Sequence, residues 1–421
     1  MGKEKKGMNR RQFFKRSAGA TVGLAAAGAL PSFARAAAPP VSPVAVRKCK
    51  HFDRSLIYST LVQMFSDLDG AGDSFSNLVN GKKVGVKLNL TYGRGSAWHH
   101  HSLHSKFTDT THPDVAYALA QFLIESGAAE VNFLESSYTT AGIDALMPAM
   151  GYDMAEFTAL GNGSQVHFYD TRNKQPDAGN GWSAYAQLDP TANGVGSGDA
   201  YMFDYFYVNK MYAAPQSDVI ISLAKLKGHE VAGVTLGVKN MFGCLPNSIY
   251  GGSTPITEAT GPDEDGAGGR TDCCHNGVWN PYGEKDPAVH GVANFDSERM
   301  PRLIVDLCRA LPIDLVIVEG IKSSQPNWGP SSHTSLTTPG VMVAGFNPIC
   351  TDAVCVGIMG QDPRAAAKTG MFLSGENYLN LAAAKEIGSN DLSRIPVLGE
   401  SIANVRYDYY PHVNRSSNNQ Y

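Results

Sequence analysis

Two segments, Lys225-Leu226-Lys227-Gly228-His229-Glu230 and Gly237-Val238-Lys239-Asn240-Met241-Phe242-Gly243, put three lysines and a histidine just beyond the apolar run Asp218–Leu223. Ammonium groups and backbone N–H groups suit a carboxylate or phosphate. Glycine lets the backbone approach a ligand closely, and a neutral imidazole moves protons or binds metal. Lys225, Lys227 and Lys239 are therefore expected to hold an anion, with Lys87 and Asn240 as further substrate contacts. His229 and Lys239 are the expected catalytic groups, His229 as proton or hydride mover or as metal ligand. The alternative is a salt-bridged loop followed by an amphipathic helix.

A second concentration is His99-His100-His101-Ser102-Leu103-His104, with Asp109 and His112 beyond it. Imidazole is the commonest nitrogen ligand for Zn, Ni, Cu and Fe, so His99, His101 and His104 are expected to gather a divalent metal. A solvated polar loop is the other reading. Glu319, at a strand end before Gly320, suits a general base or ligand, or else a turn acid. Asp272-Cys273-Cys274-His275 suits a soft metal or a disulfide. Asp352, placed at the start of a buried helix, is expected to cap it. The working expectation is that the basic stretch 225–243 and the histidine-rich stretch near residue 100 share one pocket.

These residues need a scaffold. Val84–Leu90 reads as a buried strand. Pro113 to Ser126 has helical spacing, with Pro113 at the first turn and Gly127 at the stop, and Ala129–Leu134 is the next strand. Strand, helix, strand implies a parallel βαβ unit. Further strands are expected at Val166–Tyr169, Asp218–Leu223, Leu315–Val318 and Val341–Ala344. Helices are expected at Ile143–Met147 (ended or kinked by Pro148), Arg299–Ala310, Thr351–Met359 and Tyr378–Ile387. The predicted fold is α/β: a mostly parallel sheet, helices on both faces, and a long Gly- and Asp-rich insertion at 250–296. Ligands of such sheets bind beyond the carboxyl ends of the strands, the edge on which the lysines and Glu319 fall. The expected organisation is 1–36 signal peptide, 37–80 lead-in, 81–400 α/β domain and 401–421 tail.

The first 36 residues read as an address. Asn9-Arg10-Arg11-Gln12-Phe13-Phe14-Lys15 is a twin-arginine motif, Ala18–Leu30 is a short apolar run, and Ala34-Arg35-Ala36 fits a signal peptidase. Export to the periplasm, or otherwise out of the cell, follows, with the twin-arginine translocase and signal peptidase as partners. No apolar run reaches the ~18 residues of a membrane helix. Residues 1–36 hold eight of the 35 basic and one of the 39 acidic residues, so the remainder has 27 basic and 38 acidic, a net charge of −11. So acidic a chain lacks the basic face that nucleic acid requires. Of seven cysteines, Cys308, Cys350 and Cys355 lie in apolar stretches and read as core. Cys244 with Cys273 or Cys274 offers a bridge. No CxxC pair exists, which argues against a ferredoxin-type iron–sulfur cluster. The Walker, GxGxxG, HExxH and GxSxG motifs are also missing.

Taken together, Val84–Leu90 with its Lys-Leu-Asn, the His112-Pro113 helix ending at Gly127, Lys225–Gly243, Asp314–Gly320 with Gly329-Pro330, and Gly345–Asp352 resemble the domain of unknown function 362 family over roughly residues 80–400. That family often occurs in proteins that also carry iron–sulfur modules. This chain differs in lacking a ferredoxin-like Cys motif, in having Glu319 where Asp is commoner, and in its 250–296 insertion. A shorter stretch, His229, Ala232-Gly233 and Gly237-Val238-Lys239, is similar to the nickel-ligating segment of the nickel-pincer lactate racemases. That likeness implies His229 as ligand or base and Lys239 as an anion contact. The expected function is an exported, metal-dependent enzyme acting on a small anionic or hydroxylated substrate. A non-catalytic periplasmic anion or metal binder, or an accessory to a periplasmic redox complex, is the alternative.

Overall fold

The computed structural model describes residues 38–72, 74–90, 108–136, 142–171, 184–250, 274, 296–326 and 335–411. The expected signal peptide, His99, His101 and His104, Asp272, Cys273, His275 and Gly329-Pro330 lie outside the described residues. So does nearly all of the 250–296 insertion.

The strands are β1 (Val44–Lys48), β2 (Lys83–Lys87), β3 (Glu130–Glu135), β4 (Val166–Asp170), β5 (Tyr185–Leu188), β6 (Phe206–Asn209) and β7 (Val219–Lys225). They continue with β8 (Lys227–His229), β9 (Gly233–Thr235), β10 (Leu315–Gly320), β11 (Ser323–Gln325), β12 (Ser335–Thr337), β13 (Val341–Gly345) and β14 (Val397–Gly399). The helices used below are α1 (Arg54–Gly70), α2 (Pro113–Glu125), α3 (Ile143–Ala149), α4 (Gly237–Asn240), α5 (Asp296–Ala310), α6 (Pro348–Ile358), α7 (Tyr378–Ala384) and α8 (Ile402–Val405).

Among the described residues eight strands form one sheet in the order β14-β1-β13-β10-β7-β2-β3-β4. The run β10-β7-β2-β3-β4 is parallel, whereas β13 is antiparallel to both β10 and β1. Continuous apolar sequence is what a strand covered on both faces requires, and alternate residues divide between two cores. Val219, Ile221 and Leu223 of β7 join one side, Ile220 and Ala224 the other. Ile57, Leu61 and Phe65 of α1 and Val115, Leu119 and Leu123 of α2 cover the first side. Leu303, Ile304 and Leu307 of α5, Ile349 and Val354 of α6, and Leu379 of α7 cover the second. The fold is thus the mostly parallel α/β sheet with helices on both faces that the sequence implies.

Local signals act as expected in α2: Pro113 occupies the first turn, the His112 side chain accepts from the Asp114 N–H, and Gly127 follows at a φ of 91°. Elsewhere the structure corrects the expectation. Residues 37–80 are more than a lead-in, since β1 is interior to the sheet. The expected tail holds α8 and the buried Tyr409. Pro148 lies inside α3 rather than after it, and the helix stops one residue beyond, at Ala149, the proline being unable to donate to the carbonyl one turn back. Helix α6 begins at Pro348, and Asn347 caps it by accepting from the Ile349 and Cys350 N–H groups. Asp352 is one turn inside. Cys244 and Cys274 are buried thiols with no disulfide between them; Cys308, Cys350 and Cys355 are buried, as read. The stretch 225–243 forms the β8–β9 hairpin and only then the short α4. No described helix is long and apolar enough to cross a membrane.

The hairpin depends on close approach. A Cβ on Gly228 would stand 2.1 Å from the Pro326 carbonyl oxygen, whereas one on Gly70 of α1 would meet nothing within 4 Å. Overpacking of this kind costs about 1–3 kcal/mol, so Gly228→Ala is expected to lower the urea midpoint correspondingly. Gly70→Ala is expected to raise stability by up to about 1 kcal/mol. Equilibrium unfolding of the two variants beside the parent checks both.

Candidate functional site

The carboxyl ends of the four central parallel strands each deliver a charge to one edge: Glu319 from β10, Lys225 from β7, Lys87 from β2 and Glu135 from β3. Lys225 lies opposite Glu319 in register and its ammonium bonds the Glu319 carboxylate. Lys87 Nζ stands 2.8 Å from Glu135 Oε1. Backbone donors complete both carboxylates. Glu135 accepts from Leu90 N at 2.9 Å and Ser136 N at 3.0 Å, and Glu319 accepts from Ile321 N at 2.9 Å. Lys227 donates to the Asp109 carbonyl, and Ser324 donates to the Asp109 carboxylate. All six ionisable side chains are buried, none more than 3% exposed.

Burial disfavours the charged form of an ionisable group. It raises Glu319 and lowers Lys225, their mutual attraction pulling back against it. Burial raises Asp109, which Lys227 opposes. Lys227 is pushed down to about 7 by burial, with Asp109 opposing and Lys225 reinforcing. An amine poised near neutrality is suited to give and take a proton at physiological pH.

The remaining predicted residues come from the hairpin and α4. His229 Nδ1 accepts from Val231 N and Ala232 N, each at 3.1 Å. Two donors at Nδ1 leave the proton of a neutral ring on Nε2, so His229 offers a hydrogen-bond donor. Lys239 stands 4.2 Å above the Phe242 ring. Asp352 reaches across from α6, accepting from Gly237 N at 2.8 Å and Val238 N at 3.0 Å, with Tyr378 Oη donating at 2.8 Å. It therefore caps α4, the helix carrying Lys239 and Asn240. Burial raises Asp352 to about 7, against those hydrogen bonds. Gly243 makes room for Lys87, whose Nζ would lie 2.6 Å from a Cβ there.

Thus Lys87, Lys225, Lys227 and Glu319 meet at one edge, and Asn240 joins them by donating to the Lys87 and Leu223 carbonyls. Lys239 and His229 belong to the connected segment. Glu135, Asn89 and the capping role of Asp352 escape the sequence reading; Glu135 carries the same strand-exit signal that singles out Lys87. His112 caps α2 and stacks on Phe52 with ring centroids 3.8 Å apart. Burial, with Lys225, Lys322 and Arg54 nearby, lowers it to about 3, so it is neutral and its 3.6 Å approach to Asp114 is no ion pair. Among the described residues no three His, Cys, Asp or Glu side chains converge as a metal site. The segment containing His99, His101 and His104 departs from Leu90 and returns at Thr108, both buried beside this edge.

A family model described as "Domain of unknown function (DUF362)" matches residues 84–357, a span that contains Lys87, Asp109, Glu135, Lys225, Lys227, His229, Lys239, Asn240 and Glu319. A thylakoid-associated protein of Synechocystis sp. is 27% identical over 165 residues, and the match covers 39% of either chain. A crystal structure of a Thermotoga maritima protein aligns over 72% of this chain and 57% of that one, with 15% identity and a TM-score of 0.34.

The charge network has a pH signature. Lys227 titrates near 7 when folded against an ordinary 10.5, so the unfolded chain holds a proton that the native chain has lost. Its contribution to stability is present above 10.5 and lost as pH falls through 7. The urea midpoint is expected to rise from pH 7 to 9.5, and Lys227→Met to flatten that rise. His112, at about 3 against 6.5, contributes stability above 6.5 that is lost as pH falls through 3. His112→Asn keeps an acceptor for the Asp114 N–H, and should shallow the acid-side decline measured by unfolding at pH 4 and 7.

Proposed function

The chain belongs to the DUF362 family, whose description assigns no activity, and from its carboxyl-edge charge network we propose that it is an exported, metal-dependent enzyme acting on a small anionic or hydroxylated substrate. The carrying observation is the burial of Lys87, Lys225 and Lys227 with Glu135, Glu319 and Asp109 where parallel sheets bind ligands. Desolvating ions costs several kcal/mol each, and buried pairs often stabilise less than apolar residues of equal volume. Such a cluster at a strand edge is better explained by what it binds than by the fold.

In this reading Lys225, Lys227 and Lys239, with Lys87, attract and orient the anion, while Asn240, expected as a further contact, has its amide engaged by the Lys87, Ser222 and Leu223 oxygens and by Asn89 and so braces the edge. Lys227 exchanges a proton near pH 7, and His229 donates through Nε2. Glu319 holds the Lys225 ammonium in place, because its carboxylate is engaged by Lys225 and the Ile321 N–H. That engagement replaces the general-base role expected from sequence. His99, His101 and His104 would hold a divalent metal, which would supply Lewis acidity when bound. The twin-arginine motif at Asn9–Lys15 supports export.

A second reading is a periplasmic anion or metal binder, or an accessory to a redox complex, without turnover. The mutual neutralisation of the two Lys–Glu pairs favours it, since groups so engaged bind more readily than they react.

A thermal-shift series with phosphate, sulfate and glycolate, alongside elemental analysis of natively exported protein, tests the proposal. A ligand at one hundred times its Kd stabilises by about 2.7 kcal/mol. At least one anion is expected to give a shift of that order in the parent and little or none in Lys227→Met. His229→Asn, which keeps an acceptor for the Val231 and Ala232 N–H groups, is expected to fold and to weaken binding. Exported protein is expected to hold a divalent metal near one equivalent. No stabilisation by any of the anions, together with metal-free exported protein, overturns both readings. Stabilisation without consumption of any bound candidate leaves the binder.

A further inference from the structure

Asn89 stands on the same edge, two residues beyond the end of β2, and is 3% exposed. Its orientation can be deduced from its neighbours. Ser222 Oγ gives its proton to the Gly237 carbonyl at 2.8 Å, so toward Asn240 it is an acceptor. The Lys87 and Leu223 carbonyls are acceptors only. All three face Asn240 Nδ2, at 3.3, 3.1 and 3.4 Å for Lys87 O, Ser222 Oγ and Leu223 O respectively. Asn240 is thereby fixed with its amide nitrogen toward them and its oxygen toward Asn89. Asn89 must answer with its own nitrogen, and Nδ2 donates to Asn240 Oδ1 at 2.9 Å. Asn89 Oδ1 is left buried without a hydrogen-bond partner. Turning the amide over would face two carbonyl oxygens and strand Nδ2, so the geometry offers no internal remedy.

An orphaned buried acceptor is costly, and an unmet one beside a binding edge invites a donor from a ligand. Thr235 Oγ1, a hydroxyl able to donate as well as accept, is also buried without a hydrogen-bond partner, 3% exposed, in the hairpin opposite Lys227. A neutral hydroxyl suits this acceptor better than an ammonium, because Lys87 and Lys225 already pair with Glu135 and Glu319, leaving neither carboxylate to offset a further buried cation. We propose that Asn89 Oδ1 is the specificity determinant of this site, accepting a hydrogen bond from a hydroxyl group of the bound anion. The ligand class is then a hydroxylated anion in preference to a simple carboxylate. This rests on the anion-binding reading above and narrows it to both properties in one molecule.

Matched ligand pairs separate the two claims. Titration calorimetry of the full chain with glycolate against acetate, and malate against succinate, is expected to favour the hydroxylated member at least tenfold. In Asn89→Ala, and in Asn89→Ser should the first variant fold poorly, that preference is expected to fall to about twofold. Acetate and succinate should bind the variants within threefold of the parent. Equal affinities within each pair in the parent would leave the anion site standing and refute the role of Asn89, its oxygen being met by water. A preference that survives in the variants would assign the hydroxyl contact elsewhere and also refute it. Absence of binding by all four anions would remove the site and this inference together.

Discussion

Two lysine–glutamate pairs sealed from water at the ends of adjacent strands set the conditions for everything around them. Neither partner can be removed singly without leaving a bare charge in a low-dielectric setting, a loss of about 3–5 kcal/mol. The sheet satisfies this by register: β10 sets Glu319 opposite Lys225, and β2 ends beside β3 so that Lys87 reaches Glu135. The order of the central strands is therefore also an order of charge, negative, positive, positive, negative, and permuting two strands would break it.

The supports of this edge are short and distant in sequence. Gly228 admits the Pro326 carbonyl, Gly243 admits the Lys87 ammonium, and Asp352 holds the first turn of α4 from a neighbouring helix. Asp352 carries its own liability. Raised to about 7 from an ordinary 3.8, it contributes stability that is present below 3.8 and lost as pH rises through 7. Lys227 acts in the opposite sense at higher pH. The two slopes meet near neutrality, where the folded chain holds both groups close to their titration points.

Much of this was legible from local pattern. Apolar runs ending in a polar residue marked β2, β7 and β10, and the same rule singled out Lys87, Lys225 and Glu319. Pro113 and Gly127 bounded α2 because proline and glycine constrain the backbone directly. What local pattern could not supply was partnership. Glu135 ends β3 as Lys87 ends β2, yet its importance lies in a lysine 48 positions away. Asp352 looked like a cap for its own helix because it stood near the helix start; the N–H groups it serves lie 115 and 114 positions earlier. Asn89 showed no sign of strain until Asn240 and Ser222 fixed its amide. Strand β1 is five residues with no adjacent partner in the chain, so its place in the sheet was invisible.

That strand has a consequence for assembly. β1 is flanked by β13 and β14, whose residues leave the ribosome roughly 290 and 350 positions after it. β1 must wait for strands made some 300 positions later, and until then both of its hydrogen-bonding rims stay open to any passing extended chain. Closure of the sheet waits on β13 and β14, with long loops to draw in before any contact rewards them. In a nascent chain of this design β1 is the strand longest exposed to mispairing, because both of its neighbours lie hundreds of positions further along.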